Sequence, residues 1–447
     1  MSDGGQNGAH DSDNGENVRM SLEDALKFAI EMHQGGRLEA ARHIYLRLLE
    51  QEPDNADAIH FLGVLSHQEG NTAEALSLIG RAHDLAPESP GILMNLGNVC
   101  LEAGRTDEAL EAYRKTVELA PDTSAAWNNI GVLLRAVGRP ELAEEALRKA
   151  IEIDPGDAGP WHNLGNLLLS IGRVEEAVKC ALRSLTLQPR NNVGRKLLGI
   201  AYAYLGETEK AKEVFRDWLA ESPGDPTAEH HLAALEGQLP DRASDAYVET
   251  VFDDFAVSFD SRLEHLKYRA PELVRDELAS RIDGLGPVEV LDVGCGTGLC
   301  GPLVRDLARR LVGIDLSAKM LARAERREVY DTLEKAEFIA YLSGVEEGFD
   351  AIIAADSLCY VGQMESFAAN AMRALRPGGA LVATFEVNAE GDDIALPPSG
   401  RYTHGHDYLK RTFEAAGFTD VTLTETVLRL EQAKPVDGWL LSAERPA

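Results

Sequence analysis

The sequence predicts a two-domain protein, an all-α solenoid of helical hairpins followed by an α/β domain with a mostly parallel sheet. Three observations carry this: a residue pattern that recurs every 34 residues, its loss after residue 245 in favour of alternating apolar strands and helices, and a glycine-rich turn ending the first strand. A length of 447 residues fits two or three folding units.

Residues 1–20 contain Gly, Asn, Asp and Ser but no apolar stretch, which reads as a disordered leader and argues against a signal peptide. Lys and Arg number 44 against 74 Asp and Glu, and the net charge of −30 repels phosphate backbones and anionic membrane surfaces. Generic nucleic-acid binding and membrane attachment are therefore not expected. Hydrophobic residues make up 44% of the chain, yet no run approaches the roughly 18 apolar residues of a membrane span. The five cysteines, Cys100, Cys180, Cys295, Cys300 and Cys359, form no CxxC pair, so a reducing cytoplasm fits better than a disulfide framework or a zinc site.

Residues 21–238 form the predicted solenoid. Pro53, Pro87, Pro121, Pro155, Pro189 and Pro223 stand 34 residues apart, as do Gly36, Gly70, Gly104, Gly138, Gly172 and Gly206. Ala41, Ala75, Ala109, Ala143, Ala177 and Ala211 keep the same phase, and Gly63, Gly97, Gly131, Gly165 and Gly199 fall earlier in the unit, with Ala29 in the first copy. Within one copy, such as residues 127–155, apolar residues three and four apart are followed by a Gly turn and a second such run ended by Pro, which is a helical hairpin. Six copies fill residues 22–225, and residues 226–238 match only a first helix that caps the open end.

The unit resembles the tetratricopeptide repeat, on its small residues where helices cross, its wedges (Trp127, Trp161, Tyr113, Phe215) and its closing Pro. Each repeat buries its face only against neighbours, so these residues are read as architecture. Asn95, Asn129 and Asn163 share one position of the first helix in successive copies. A row of amides along the concave groove can pair with an extended peptide backbone, and it resembles the asparagine ladder of some peptide-binding arrays. A plain solvated face is the alternative.

Residues 239–245 are the linker, and residues 246–447 the second domain. Two amphipathic pieces (246–259, 270–282) lead into the apolar strand 288–294, then a helix at 299–309, a strand at 311–315, a helix at 317–327 and a strand at 349–356. The helix 364–375, the turn 376–379, the strand 380–386, a helix at 406–417 and two final strands complete the reading. In such sheets ligands sit beyond the carboxyl ends of the strands, where strand order reverses. The first strand ends in Asp292, Gly294, Gly296 and Gly298, and the second ends at Asp315, where a carboxylate can take both hydroxyls of a ribose. Leu299 stands in place of the third glycine of a dinucleotide fingerprint, and Asp292 would repel a pyrophosphate. An adenosyl-type ligand without phosphates follows.

Through VLDVGCGTG, LVGIDLS, FDAIIAADSLCYVG and LRPGGALVATFE, residues 246–447 resemble the Rossmann-like methyltransferases. The resemblance implies S-adenosylmethionine as cofactor. Gly294, Gly296 and Gly298 would pass under its methionine part, and Asp292 or its neighbours would receive the amino group. Asp315 would grip the ribose, Leu316 would lie against the adenine, and Glu337 with Phe338 would meet the adenine edge. Asp356 would face the sulfonium and the acceptor.

Methyl transfer is an in-line displacement in which alignment and desolvation supply much of the rate, so a base is optional. The loops after strands four and five hold Tyr360, Glu386, Tyr402, His404 and His406. From these His404 is the candidate base, alongside Asp356 and Tyr360, although a solvent-exposed loop histidine fits as well. His404 and His406 lack a third ligand, so no metal is expected. Cys295 and Cys359 read as small buried residues. Phe255, Phe259 and Tyr268 are placed to stack on the cofactor and Arg269 to meet its carboxylate, unless the segment is an ordinary amphipathic helix.

Three readings follow. The first is a cytoplasmic methyltransferase whose repeats recruit an acceptor or partner protein. The second is a non-catalytic adaptor with a methyltransferase-like domain, against which the intact Asp292, glycines and Asp315 argue. The third has self-associating repeats and a small-molecule acceptor. No Asn/Asp-Pro-Pro-Tyr motif follows the fourth strand, which removes support for methylation of base or amide nitrogen.

Overall fold

The computed structural model describes residues 21–256, 259–260, 263, 266–284, 286–388, 391–431 and 434–447. The predicted leader lies outside them. The chain divides into two compact units between Pro121 and Asp122. The first contains three helical hairpins: α1 (Leu22–Gln34) with α2 (Leu38–Gln51), α3 (Ala56–Gln68) with α4 (Thr72–Leu85), and α5 (Pro90–Glu102) with α6 (Thr106–Leu119). The second begins with three more: α7 (Ser124–Ala136) with α8 (Pro140–Ile153), α9 (Ala158–Ser170) with α10 (Val174–Leu187), and α11 (Asn192–Tyr204) with α12 (Thr208–Glu221). The single helix α13 (Pro226–Leu235) and then α14 (Asp245–Phe255) follow.

The repeated residues explain the hairpins. The glycines of the Gly36 series have φ between 66° and 82°. Each ends a first helix, and the next residue's N–H reaches back to a carbonyl of the last turn, as from Arg105 to Cys100 (2.8 Å) and from Arg139 to Leu134 (2.8 Å). The second glycine series marks close helix crossings. A Cβ on Gly97 would lie 2.5 Å from the Tyr113 ring, and one on Gly199 would lie 2.4 Å from the Phe215 ring. Tyr113 and Phe215 are the buried wedges, whereas Trp127 and Trp161 are only half buried.

The α/β part is a seven-stranded sheet of order β3-β2-β1-β4-β5-β9-β8. Its strands are β1 (Val288–Val293), β2 (Ala308–Asp315), β3 (Thr332–Lys335), β4 (Phe349–Ala354), β5 (Leu375–Glu386), β8 (Thr419–Glu431) and β9 (Lys434–Glu444). The first five pair in parallel, while β9 runs antiparallel between β5 and β8. The two faces of the sheet are covered by separate apolar clusters. One gathers Leu291, Ile352, Phe367 and Phe413, and the other gathers Val274, Val290, Leu311 and Val382. Strand order reverses between β1 and β4, which opens a crevice at their carboxyl ends.

Three details depart from the expected elements. The helix expected over 299–309 covers only Cys300–Val304, because Ala308 already pairs with Val288 in the sheet. Strand β5 starts at Leu375 and passes through the expected turn 376–379. A two-residue ladder, β6 (Ile394–Ala395) with β7 (Thr403–His404), was not expected at all. Among the described residues no helix is long and apolar enough to cross a membrane.

Candidate active site

The crevice is a cavity of about 250 Å³ lined by the β1 and β2 tips, the turns after β3 and β4, and residues of the segment 242–271. Asp292, Gly294, Gly296, Asp315, Leu316, Glu337, Phe338 and Asp356 line it, and Gly298 does not. The three glycines divide their work. A Cβ on Gly294 would strike Ser357 at 2.4 Å, and Ser357 Oγ donates to the Val293 carbonyl (2.7 Å), so this glycine joins the β1 and β4 turns. Gly296 has φ 56° and meets nothing nearer than a Phe259 carbon at 4.0 Å, so its bare backbone faces the cavity. Gly298 packs against Tyr330 and Ala324, whose atoms lie 2.9 and 3.1 Å from a Cβ placed there. Gly298 does not line the cavity, contrary to the expected passage under a ligand; it seats the helix Ala318–Glu325 against the turn.

Asp315 is held by its own loop. Its two oxygens accept N–H bonds from Ser317 (2.8 Å) and Gly296 (2.9 Å). Burial pushes its carboxyl up, and those N–H groups oppose the shift. Asp292, 1% exposed, accepts the Tyr330 hydroxyl at 2.7 Å. Burial raises its pKa to about 7, with the Asp315 charge adding to the rise. Leu316 and Phe338 supply apolar walls. Glu337 caps the helix Phe338–Ser343, its carboxylate accepting from the N–H of Ile339 (3.1 Å) and Ala340 (2.7 Å).

Beyond β4 lies a buried charge row that the sequence did not reveal. Asp356 has φ 55°, and its N–H donates to Thr384 Oγ1 at 2.8 Å. Arg429, 2% exposed, bonds Asp356 (2.8 Å) and Glu386 Oε1 (2.7 Å), and Arg401 pairs with the same Glu386 oxygen. Arg429 and Arg401 line the cavity. The only signal for Arg429 is a cation inside the apolar run Val427-Leu428-Arg429-Leu430, where an inward-facing charge needs partners. Asp356, Cys359 and Glu386 bring potential ligand atoms within 4.8 Å of one another, but the Arg429 guanidinium already bonds both carboxylates.

The candidate base is corrected. His404 is fully buried between Phe385 (5.5 Å) and Tyr408 (6.1 Å), its Nε2 lies 3.0 Å from the Gly362 carbonyl, and it does not line the cavity. Burial lowers its pKa to about 4, so it packs as a neutral ring. His406 is exposed and paired with Asp407. Tyr360 lines the cavity, and burial pushes its phenol well above the usual range. It is a wall residue with Phe252 at 5.4 Å. Tyr402 is buried with its hydroxyl on the Pro240 carbonyl (2.9 Å).

Described residues of the segment 242–271 form one wall of the cavity. Phe252, Phe259, Leu263 and Tyr268 line the cavity, and Tyr268 donates to the Ala355 carbonyl at 3.4 Å. Asp253 accepts the Ser317 hydroxyl (2.6 Å), and Asp260 bonds Thr297 and Arg327. The Phe255 side chain lies outside the described residues. Arg269 is exposed and does not line the cavity, so its expected role toward a carboxylate is corrected. Cys295 and Cys359 are buried wall residues, and burial pushes the Cys295 thiol well up.

The three asparagines are half buried. In the first unit Asn95 Nδ2 lies 2.8 Å from His60 Nε2. In the second, Asn128 donates to Asn129 (3.3 Å) and accepts from Asn163 (2.8 Å), which joins α7 to α9.

Residues 13–251 match the family described as the Cilia and flagella-associated protein 70 C-terminal domain, and residues 291–381 match a methyltransferase domain. Botryococcene C-methyltransferase of Botryococcus braunii is 28% identical over 40% of this chain and 46% of its own length. Methyltransferase-like protein 27 of Homo sapiens is 30% identical over 37% of this chain and 66% of its own. A probable S-adenosylmethionine-dependent methyltransferase of Mycolicibacterium smegmatis is 27% identical over 36% and 59%. The chain thus spans about half the length of the curated relatives it matches. Among solved structures, Pseudomonas aeruginosa PilF aligns with 19% identity and TM-score 0.44, over 47% of this chain and 96% of that one. YrrB, described as a TPR protein with an unusual peptide-binding site, aligns with 21% identity and TM-score 0.36, over 42% and 96%.

Proposed function

The chain belongs to the family described as the Cilia and flagella-associated protein 70 C-terminal domain and carries a methyltransferase domain, and on that premise we propose that it is an S-adenosylmethionine-dependent methyltransferase whose repeats recruit an acceptor or partner protein. The observation that carries the reading is Asp315, a carboxylate at the β2 tip whose oxygens are aimed by two backbone N–H groups, beside the bare backbone of Gly296. A ribose diol fits that carboxylate. A phosphate group does not fit, because the carboxylates of Asp292 in β1 and Asp315 at the end of β2 both line the cavity.

When bound, the cofactor supplies a methyl carbon already activated by its sulfonium. Asp315 takes the ribose hydroxyls, Leu316 and Phe338 flank the adenine, and Glu337 keeps lone pairs beyond its two capping bonds for the adenine amine. Asp292 receives the amino group, and Gly296 lets the backbone approach. Asp356, held by Arg429, is the carboxylate at the β4 end of the cavity. The wall residues Phe252, Phe259 and Tyr268 exclude water, and alignment with desolvation then carries the displacement without a base. Within the second unit, the linked amides of Asn129 and Asn163 serve a peptide partner. No disulfide joins the five buried cysteines, which supports a reducing cytoplasm.

The test is transfer of label from methyl-labelled S-adenosylmethionine to components of a fractionated lysate. The full chain is expected to label an acceptor, and Asp315→Ala is expected to label none. Equal labelling by both proteins would remove Asp315 from the site. No labelling by a wild type that still binds S-adenosylhomocysteine would favour the adaptor reading.

A further inference from the structure

The last helix of the repeat array reaches the cavity wall. On α13, His230 sets its Nε2 2.8 Å from the Gly400 carbonyl and stacks on Tyr247 of α14 with ring centres 4.0 Å apart. Its neighbour His231 stacks on Phe215, the aromatic wedge of α12, at 5.4 Å. Both histidines are buried, at 6% and 2% exposure. They rest on the repeat array at one end and on the loop 399–402 at the other.

Gly400 is shaped for this contact. It has φ 79°, and a Cβ there would lie 2.7 Å from Tyr247 Oη and 3.1 Å from a His231 ring carbon. The next residue, Arg401, lines the cavity and pairs with Glu386, which bonds Arg429, which bonds Asp356. Tyr402 follows, and its N–H donates to the Cys359 carbonyl at 2.7 Å beside Tyr360. One hydrogen bond from α13 therefore sits a single residue away from a four-membered charge row that ends at the cavity.

We infer that His230 is a positioning residue for the cavity: by holding the Gly400 carbonyl it fixes Arg401 against Glu386 and so orders the Glu386–Arg429–Asp356 row. The ligand-binding consequence rests on the function proposed above, whereas the effect on the loop does not. The terminal helix of the array is then a working part of the cavity wall as well as a cap on the repeats. Contiguity alone does not establish coupling, so the test reads coupling directly.

The experiment uses the full chain as wild type, His230→Ala, His230→Gln, Arg401→Ala and the double variant His230→Ala/Arg401→Ala. Gln carries an amide nitrogen that can replace the imidazole donor toward Gly400. Two quantities are read: amide hydrogen exchange of the peptide spanning 397–404, and calorimetric affinity for S-adenosylhomocysteine. His230→Ala should speed exchange about tenfold or more and weaken affinity about fivefold, His230→Gln should restore both, and the double variant should bind no more weakly than Arg401→Ala. Unchanged exchange in His230→Ala, or affinity losses that multiply in the double variant, would overturn the inference, as would His230→Gln behaving like His230→Ala. If His230→Ala loses its helical circular dichroism, exchange and affinity in His230→Gln decide alone: wild-type values support the inference and altered values overturn it. A wild type that fails to bind S-adenosylhomocysteine counts against the proposed function, and the exchange arm then judges the loop on its own.

Discussion

Asp292 carries its charge only above about pH 7, because burial beside Asp315 outweighs the Tyr330 hydrogen bond. If its carboxylate receives the cofactor's amino group, the proton must leave for binding to be tight. Affinity for S-adenosylhomocysteine is then expected to rise about tenfold between pH 6 and 8 and to lose that rise in Asp292→Asn. A flat profile in the wild type would detach Asp292 from the ligand. At this scale the sequence was informative where a residue sits in a motif. Asp292 and Gly296 stand at the carboxyl end of one strand and Asp315 at that of the next, so the spacing of one strand–helix–strand unit brought them together. Arg429 was hidden because β8 meets Asp356 only through the folded sheet, 73 residues away in the chain. His404 misled because a polar-looking loop, residues 399–406, folds inward, and the ladder of β6 with β7 buries it.

The glycine turn after β1 performs two tasks that a motif reading merges into one. Gly298 faces Tyr330 and Ala324 and has φ 82°, so Gly298→Ala should destabilise the domain by about 2–3 kcal/mol in denaturant titrations, through crowding plus backbone strain. Gly296 faces open space at φ 56°, so Gly296→Ala should cost about 1–2 kcal/mol in stability, and it should lower ligand affinity more than Gly298→Ala does. The reverse order of affinities would show that Gly298 is the residue next to the ligand. The elements themselves were readable wherever two signals coincided. A helix ending at a positive-φ glycine every 34 residues, or an apolar run ending in Asp and Gly, leaves little choice. The short ladder of β6 and β7 lacks any such signal, since two-residue strands have no periodicity to read.

Across the molecule, buried histidines set the response to acid. Burial lowers His162 and His404 to about 4, and it also depresses His60, His230 and His231. Each binds a proton in the unfolded chain near 6.5 but not in the folded one, so stability falls as pH drops from about 6.5 toward 4. Asp292 works in the opposite sense, since its raised pKa makes the folded state the better proton binder between 3.8 and about 7. Asp315, whose carboxyl burial also raises, acts in the same sense as Asp292, and five groups against two predict a melting temperature that declines from pH 7 to pH 5. A rise over that range would contradict the burial of the histidines. His230 and His231 lie where α13 meets Tyr247 and Gly400, so the loss should begin there, as early hydrogen exchange in the peptide 397–404.

The proposed function turns on S-adenosylmethionine binding this cavity through Asp315. Its most direct test is calorimetric titration of the full chain with S-adenosylmethionine and S-adenosylhomocysteine, with Asp315→Ala measured beside it. Micromolar binding to the wild type, about −8 kcal/mol, is expected, with a loss of at least about 2 kcal/mol in the variant, which lacks the paired ribose bonds. Wild type and Asp315→Ala binding with equal affinity, or neither ligand binding the wild type, would contradict it.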